Sequence, residues 1–335
     1  MPPLALSLGD PAGIGPEIVV KAWTALRTSG PAFVVVGDHD ALAAASPRGG
    51  AILKRVGGPD EAAAAFAHAL PLIDIPLSAP VNAGRPSVAH ADAIVRWIET
   101  GAGLALSGAV SGLVTAPIAK APLYEAGFGF PGHTEFLAAL TAGAPYAGPR
   151  GPVMMLTAAD LRTVLVTIHT PLSAVFGALS IERIVEVGRV TAFALAQDFG
   201  VARPRLALAG LNPHAGEGGS LGREEIEIIA PAAARLRAEG VDCWDPRPAD
   251  TLFHEEARRT YDAAICLYHD QALIPVKTLD FWGGVNVTLG LPIVRTSPDH
   301  GTGFGIAGRG VGRPESLIAA IRMAADMAAA RARLA

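Results

Sequence analysis

Five of the nine histidines in this chain lie in polar turns. They occur in the segments GHTE, TIHTP, LNPHAGEGG, LYHDQ and PDHGTG, as His133, His169, His214, His269 and His300. His169, His214 and His269 each follow an apolar run that predicts a β-strand. Because ligands of open α/β sheets bind beyond the carboxyl ends of the strands, we expect these three imidazoles to meet at one site.

Three neutral imidazoles from separate loops are natural ligands for Zn²⁺, Co²⁺, Mn²⁺ or Ni²⁺, whereas Mg²⁺ and Ca²⁺ prefer carboxylates. Asp250 and Asp270 are nearby acids that could orient an imidazole or join the ligands. The alternative is that these polar turns only cap strands and helices. The remaining histidines lie in amphipathic, Ala-rich or acidic stretches and are predicted to be solvated: His39, His68, His90 and His254.

A second group of polar side chains follows the last of the three metal-ligand candidates. Lys277 comes first, and Asn286 and Arg295 lie at the ends of later apolar segments. Isolated cations in such positions are costly to bury unless an anion binds to them, which favours a phosphate or carboxylate ligand. Ion pairing with Asp280 or Asp299 explains the same spacing equally well.

Two glycine motifs resemble those of other enzyme classes. GFGFPG at 127–132 has the GxGxxG spacing of a dinucleotide-binding loop, but no strand precedes it and no acid follows about twenty residues later. GGSLG at 218–222 has the GxSxG spacing of a hydrolase nucleophile elbow, with Ser220 as the nucleophile. The preceding predicted strand ends about ten residues earlier, so this motif is a weak indication of a hydrolase.

Short apolar runs alternate with Ala-rich amphipathic stretches along nearly the whole chain, which predicts an α/β fold. The predicted strands are 4–8, 32–36, 109–115, 153–156, 163–167, 206–209, 263–268 and 284–289. The predicted helices are 16–27, 88–100, 134–140, 181–199, 223–238 and 314–334. Only a short polar stretch separates 153–156 from 163–167, which predicts a hairpin and therefore a mixed sheet.

No change of composition marks a domain boundary. We predict two lobes that share one sheet. The main α/β lobe is discontinuous and comprises residues 1–121 and 205–335, and the central second lobe comprises residues 122–204 and carries a dimer interface.

Composition excludes several classes of protein. The 335 residues include 27 Lys and Arg against 31 Asp and Glu, a net charge of −4, so no basic excess exists to bind nucleic acid. Cys243 and Cys266 form no CxxC pair, which argues against a disulfide scaffold or a thiolate metal site.

The beginning of the chain lacks the pattern of a secretory signal, so we expect a cytoplasmic protein. The uncharged stretch 101–119 contains four glycines, two serines and Pro117. It therefore predicts a helix end, a turn and a buried strand, and we expect no membrane span.

Taken together, several segments resemble the 4-hydroxythreonine-4-phosphate dehydrogenase family of pyridoxal phosphate biosynthesis. They span almost the whole chain in the family's order. The matching segments are GDPAGIGPEI at 9–18, PGHTEFLA at 131–138, TIHTPLS at 167–173, LNPHAGEGG at 211–219, and YHDQALIPVKTL through RTSPDHGTG at 268–303.

The resemblance implies the two-lobed fold of isocitrate and isopropylmalate dehydrogenases, and a homodimer whose active site takes residues from both subunits. It also implies roles for individual side chains. The implied metal ligands are His169, His214 and His269. The implied substrate contacts are His133, Thr134, Lys277, Asn286 and Arg295. One departure concerns the cofactor: the family often has an acid after the HGT sequence, where this chain has Gly305.

The implied reaction is the oxidation of 4-(phosphooxy)-L-threonine by NAD or NADP, followed by loss of CO₂ to give 3-amino-2-oxopropyl phosphate. One divalent ion per subunit, Zn²⁺, Co²⁺ or Mg²⁺, would lower the pKa of the substrate hydroxyl and stabilise the enolate formed on decarboxylation. The candidates for proton transfer are Lys277, Asp250 and Asp270.

Three alternatives remain open. A paralogue that oxidises a phosphorylated threonate or erythronate could keep all of these residues. From other classes, the phosphate acyltransferases have a related fold and bind phosphorylated ligands without a three-histidine site, and a hydrolase would use Ser220.

Overall fold

The computed structural model describes residues 1–46 and 51–334. The strands in these residues are β1 (Leu4–Ser7), β2 (Phe33–Gly37), β3 (Leu53–Arg55), β4 (Leu70–Asp74), β5 (Leu113–Thr115), β6 (Val153–Ala158), β7 (Leu161–Leu165), β8 (Arg205–Leu208), β9 (Asp242–Cys243), β10 (Ala263–Cys266), β11 (Val285–Leu289) and β12 (Arg295–Pro298). The α-helices are α1 (Gly15–Leu26), α2 (His39–Ala45), α3 (Pro59–Ala65), α4 (Ala91–Leu106), α5 (Lys120–Glu125), α6 (His133–Thr141), α7 (Leu172–Ala178), α8 (Ile181–Phe199), α9 (Ala230–Ala238), α10 (Glu255–Arg258), α11 (His269–Leu279) and α12 (Glu315–Leu334).

The chain divides into two compact units. The first unit is formed by Met1–Pro145 and Pro292–Ala329, and the second by Tyr146–Leu291 with the residues from Ala330 onward. These limits differ from the predicted lobes of 1–121 with 205–335 and 122–204. The reason is strand pairing: β11 pairs with β6, β10 pairs with β7, and β8 pairs with β10, so the segment 205–291 lies with the β6–β7 hairpin in the second unit.

The first unit contains a parallel sheet. Its strand order is β3-β4-β2-β1-β5-β12, and neighbouring strands are parallel throughout. β1, β2 and β5 are buried along their whole length. Such continuous apolar burial is typical of parallel strands that are covered on both faces.

The second unit contains a mixed sheet with the order β11-β6-β7-β10-β8-β9. β6 pairs antiparallel with both β11 and β7, whereas β10 is parallel to β7 and β8. The β6–β7 hairpin places Met155 opposite Val164. The predicted α/β class, the hairpin and the mixed sheet are confirmed.

Local sequence explains where the longest helix of the second unit begins and ends. The Ser180 hydroxyl accepts a hydrogen bond from the Arg183 backbone N–H at 3.1 Å and so caps the start of α8. The helix ends at Gly200, whose φ of 67° is left-handed and favours glycine.

The uncharged stretch 101–119 has the structure that its sequence predicts. It contains the end of α4, a turn and the buried strand β5. In the part of the chain that the structure describes, every helix is too short or too polar to cross a membrane.

A buried ion pair fixes the end of α12 in the second unit. The Asp198 side chain on α8 is 1% exposed, and its carboxylate accepts hydrogen bonds from Arg331 Nε at 2.5 Å and Nη2 at 3.0 Å. Arg331 Nη2 also donates to the Leu291 carbonyl at 3.2 Å. Removing one partner of such a pair leaves a buried charge uncompensated.

We therefore expect Arg331→Met to lower the free energy of unfolding by about 3–5 kcal/mol. The measurement is urea denaturation followed by circular dichroism. The control is Arg322→Met, which removes an exposed cation from the same helix. Equal stability losses in the two variants would contradict the role of the Asp198 pair.

Candidate functional site

Two of the predicted metal ligands lie together in the second unit. His169 follows β7 and His269 begins α11 directly after β10, and these two strands are parallel neighbours. The ring centroids of His169 and His269 are 6.0 Å apart, with 38° between the ring planes. Both rings line a pocket of about 380 Å³ with Asp270 and the apolar side chain of Val175.

The pair has the geometry and chemistry of a partial metal site. Two imidazoles that bind one ion at about 2.0–2.1 Å have ring centroids about 5–6 Å apart, which agrees with the observed separation. His269 Nδ1 lies 2.7 Å from Asp270 Oδ1, so the carboxylate orients the ring and directs Nε2 away from it. The donor set therefore fits a divalent ion of the zinc or cobalt type.

His214 lies in a different segment of the same unit. It belongs to the turn Pro213–Gly219, which packs against Ala249–Thr251, the short segment that carries Asp250. Within residues 1–46 and 51–334, no three His, Cys, Asp or Glu side chains come together as a metal-binding group. The structure thus brings together two of the three predicted ligands, and the convergence of His214 with them stays a prediction.

The backbone around His214 is strained. His214, Ala215 and Glu217 all have positive φ, at 53°, 51° and 43°. Left-handed backbone costs a residue with a side chain roughly 1–2 kcal/mol. The neighbouring Gly216 and Gly218 also have positive φ, which glycine adopts without that cost. Such strain is common at functional sites, where the surrounding structure maintains it.

The GxSxG motif belongs to this same turn. The Ser220 hydroxyl is exposed and donates a hydrogen bond to the Glu217 carbonyl at 2.8 Å. Gly222 is required for close packing, because a Cβ there would lie 2.3 Å from Asn212 Nδ2. The glycines of this motif therefore serve the turn, and Ser220 does not occupy a strand-to-helix elbow.

Sequence reasoning missed a residue that holds the two histidine loops. Gln271 on α11 is buried, and its Oε1 accepts from the Leu267 backbone N–H at 2.7 Å while its Nε2 donates to the Gly210 carbonyl at 2.7 Å. Gln271 thereby ties the start of α11 to the segment that leads to His214. The only indication of this role in the sequence is the glutamine itself, which lies two residues after His269.

Three predicted substrate residues lie in the first unit: Arg295, His133 and Thr134. Arg295 opens β12, is 2% exposed and donates from Nη2 to the Thr115 hydroxyl at 2.7 Å. Burial lowers the pKa of Arg295 to about 10, although the nearby charge of Glu135 acts to raise it. Arg295 stays protonated at neutral pH, so this buried cation favours an anionic ligand.

His133 and Thr134 open α6 in the first unit. His133 Nε2 is buried and has no hydrogen-bond partner in the described chain. Burial lowers the pKa of His133 well below 6.5, and the charges of Arg295 and Lys120 lower it further. The His133 imidazole is therefore neutral at physiological pH. Thr134 is half-buried beside it.

The other predicted substrate residues lie in the second unit. Lys277 is half-buried on α11, and its Nζ lies 5.3 Å from the centroid of the Phe281 ring. Asn286 lies on β11, and its buried Oδ1 has no hydrogen-bond partner in the described residues. Asp280, the alternative partner of Lys277, accepts hydrogen bonds from the backbone N–H groups of Trp282 and Gly283.

Several further expectations can be compared with the structure. His90 is 1% exposed and its Nε2 lies 3.3 Å from the Pro80 carbonyl, so its prediction as a solvated side chain was wrong.

Cys243 and Cys266 are buried free thiols, and burial raises the pKa of Cys243 to about 12. A Cβ at Gly305 would meet no atom within 4 Å, so packing alone does not require glycine there.

Comparisons with known proteins complete the description of the site. A family model described as "Pyridoxal phosphate biosynthetic protein PdxA" matches residues 30–324. The chain is 69% identical to 4-hydroxythreonine-4-phosphate dehydrogenase of Caulobacter vibrioides over 98% of both chains. It is 58% identical to the enzyme of the same name from Maricaulis maris, again over 98% of both chains.

The solved structures agree with these relatives. The crystal structure of 4-hydroxythreonine-4-phosphate dehydrogenase from Klebsiella pneumoniae superposes with a TM-score of 0.85 at 40% identity. The superposition covers 98% of this chain and 100% of that one.

The lowered pKa of His133 predicts how stability depends on pH. Below about pH 6.5 the unfolded chain protonates this histidine while the folded chain does not, so stability falls as the pH falls. We expect wild type to lose about 1 kcal/mol more than His133→Gln between pH 6.5 and 5.5, measured by urea denaturation. The control is His68→Gln at an exposed position, and a slope for His133→Gln equal to that of wild type would contradict the prediction.

Proposed function

The chain belongs to the PdxA family of pyridoxal phosphate biosynthetic proteins, and on that premise we propose that it is a metal-assisted 4-hydroxythreonine-4-phosphate dehydrogenase. In this proposal NAD or NADP oxidises 4-(phosphooxy)-L-threonine at its secondary hydroxyl. The resulting β-keto acid then loses CO₂ to give 3-amino-2-oxopropyl phosphate. The observation that carries the proposal is the paired His169 and His269 in one pocket, in a chain whose relatives carry this enzyme name.

His169 and His269 are proposed to hold the divalent ion, with His214 as the third ligand. The imidazole donors favour Zn²⁺ or Co²⁺ over Mg²⁺. When bound, the ion supplies Lewis acidity that lowers the pKa of the substrate hydroxyl. Asp270 supports this function by holding the His269 ring through Nδ1.

Arg295 and Lys277 are each proposed to bind an anionic group of the substrate. Arg295 offers a buried permanent charge, and the neutral His133 beside it offers a ring nitrogen for a hydrogen bond. Lys277 and Asn286 offer a second cation and an amide in the other unit. Phosphate and carboxylate groups are the ligands that such charged donors bind most strongly.

Proton transfer requires a side chain that can take up and release a proton. Asp270 is hydrogen-bonded to His269, which favours an orienting role for it. Asp250 is exposed on a segment that packs against the His214 turn, and Lys277 lies eight residues after His269 on α11. Asp250 and Lys277 are therefore the proposed proton carriers.

A homodimer with a shared active site is also proposed. Large apolar side chains are exposed in the second unit on α7 and just after α11: Leu172, Phe176, Phe281 and Trp282. A second copy of the chain would cover them and could supply His214 to a neighbouring histidine pair. The free buried thiols support a reducing compartment such as the cytoplasm.

The metal requirement is directly testable. Purified protein loaded with Co²⁺ or Zn²⁺ is expected to form NADH from NAD⁺ and 4-(phosphooxy)-L-threonine, and a chelator is expected to abolish the reaction. His269→Ala is expected to lower kcat/KM by more than about 100-fold, because the Lewis acid contributes several kcal/mol. His254→Ala removes an exposed histidine and serves as the control. A reaction that is unaffected by both chelator and His269→Ala would overturn the proposal.

The nature of the substrate needs a second assay. We expect kcat/KM for 4-(phosphooxy)-L-threonine to exceed that for 4-phospho-threonate and 4-phospho-erythronate by at least about 100-fold. The assay measures NADH formation on the three substrates with one preparation of metal-loaded enzyme. A preference for either acid that lacks the amino group would identify the chain as the paralogue.

A further inference from the structure

A buried carboxylate lies against the turn that carries His214. Glu225 is 4% exposed and begins a π-helical turn, Glu225–Ile229, directly before α9. We propose that Glu225 is a positioning residue that fixes the backbone from which His214 projects. This inference rests on the proposed function, in which His214 is a metal ligand.

Glu225 binds the segment immediately before His214. Its Oε1 accepts hydrogen bonds from the backbone N–H groups of Leu211 and Asn212, at 2.7 and 2.8 Å. Its Oε2 accepts a hydrogen bond from the Asn212 side chain, Nδ2, at 2.9 Å. The carboxylate thus holds the last two residues before Pro213, which fixes the direction in which the chain enters the turn.

The same carboxylate also packs against the inside of the turn. A Cβ at Gly216 would lie 2.8 Å from Glu225 Oε2, so the glycine permits the backbone to approach the carboxylate. Gly216 lies two residues after His214 and has a φ of 79°. Glu225 therefore touches the turn on both sides of the histidine.

A carboxylate is chemically necessary in this position. Three N–H donors point at the two oxygens of Glu225, and each oxygen accepts without a proton of its own. A glutamine side chain would keep the size but replace one oxygen with an amide N–H₂. That group would face either the backbone N–H groups or the Asn212 Nδ2 group. In both cases two hydrogen-bond donors would point at each other and one hydrogen bond would be lost.

The position of Glu225 at the start of a π-helical turn agrees with this role. π-Helical turns are rare and occur frequently at functional sites. The extra residue in the turn changes which side chains face the preceding segment. Here Glu224 also reaches Asn212 Nδ2, at 2.7 Å, so two successive carboxylates contact the same amide.

The test measures metal affinity in full-length protein. Loss of a group that orients a metal ligand typically lowers metal affinity 10–100-fold, so we expect Glu225→Gln to raise the Kd for Co²⁺ by about this factor. The affinity is measured by competition with a chromophoric chelator. Glu227→Gln is the matched control, because it removes the same charge two residues later from an exposed side chain paired with Arg223.

A double-variant cycle separates positioning from a general structural effect. If Glu225 acts through His214, Glu225→Gln is expected to change the Co²⁺ affinity little in a His214→Ala background. A loss of equal size in both backgrounds would overturn the proposal, as would wild-type affinity in Glu225→Gln itself. Amide hydrogen exchange provides a second measurement, because the N–H groups of Leu211 and Asn212 are expected to exchange faster in Glu225→Gln than in Glu227→Gln.

The outcomes distinguish this inference from the proposed function. Failure of wild type to bind Co²⁺ would overturn both. Binding of Co²⁺ by wild type that Glu225→Gln leaves unchanged would overturn only the role of Glu225. Should Glu225→Gln fail to fold, Glu225→Asp keeps the charge on a shorter side chain and carries the same measurements and the same criteria.

Discussion

The parallel pairing of β7 with β10 is the constraint on which the candidate site depends. Leu165 lies opposite Cys266 in the register, so both strands end at the same edge of the sheet and their following residues lie side by side. The Thr167 hydroxyl donates a hydrogen bond at 2.7 Å to the backbone that follows β10, which ties the two ends together. His169 and His269 approach each other because the hydrogen-bonded pairing of β7 with β10 brings both strand ends to the same edge of the sheet.

The third histidine depends on a different kind of support. A parallel strand can place a side chain at its carboxyl end, but the turn after β8 passes through six consecutive residues with positive φ, 214–219. Glycines alone cannot maintain that conformation, since they are also the residues with most freedom in the unfolded chain. Fixed acceptors are needed around the turn. The buried side chains Gln271 and Glu225 provide contacts to the segment that leads into it.

Local patterns in the sequence predict much of this fold, and pairing between distant segments accounts for most of what they miss. The β6–β7 hairpin and the uncharged stretch 101–119 are governed by neighbouring residues, and both are confirmed. The unit boundaries depend on which strands β8 and β10 pair with, and no local pattern encodes that choice. In the same way, the residues around His90 in the sequence are typical of a surface position, and only tertiary packing buries this histidine.

Electrostatics in the first unit explain how a chain with a net charge of −4 can attract an anion. Arg295 retains its proton at neutral pH although burial lowers its pKa to about 10. His133 stays neutral because burial, Arg295 and Lys120 all disfavour a second positive charge. An anion bound to Arg295 would offset the cost of that buried charge and would make His133 easier to protonate. Binding of an anion to Arg295 would therefore be linked to proton uptake by His133, because each would favour the other.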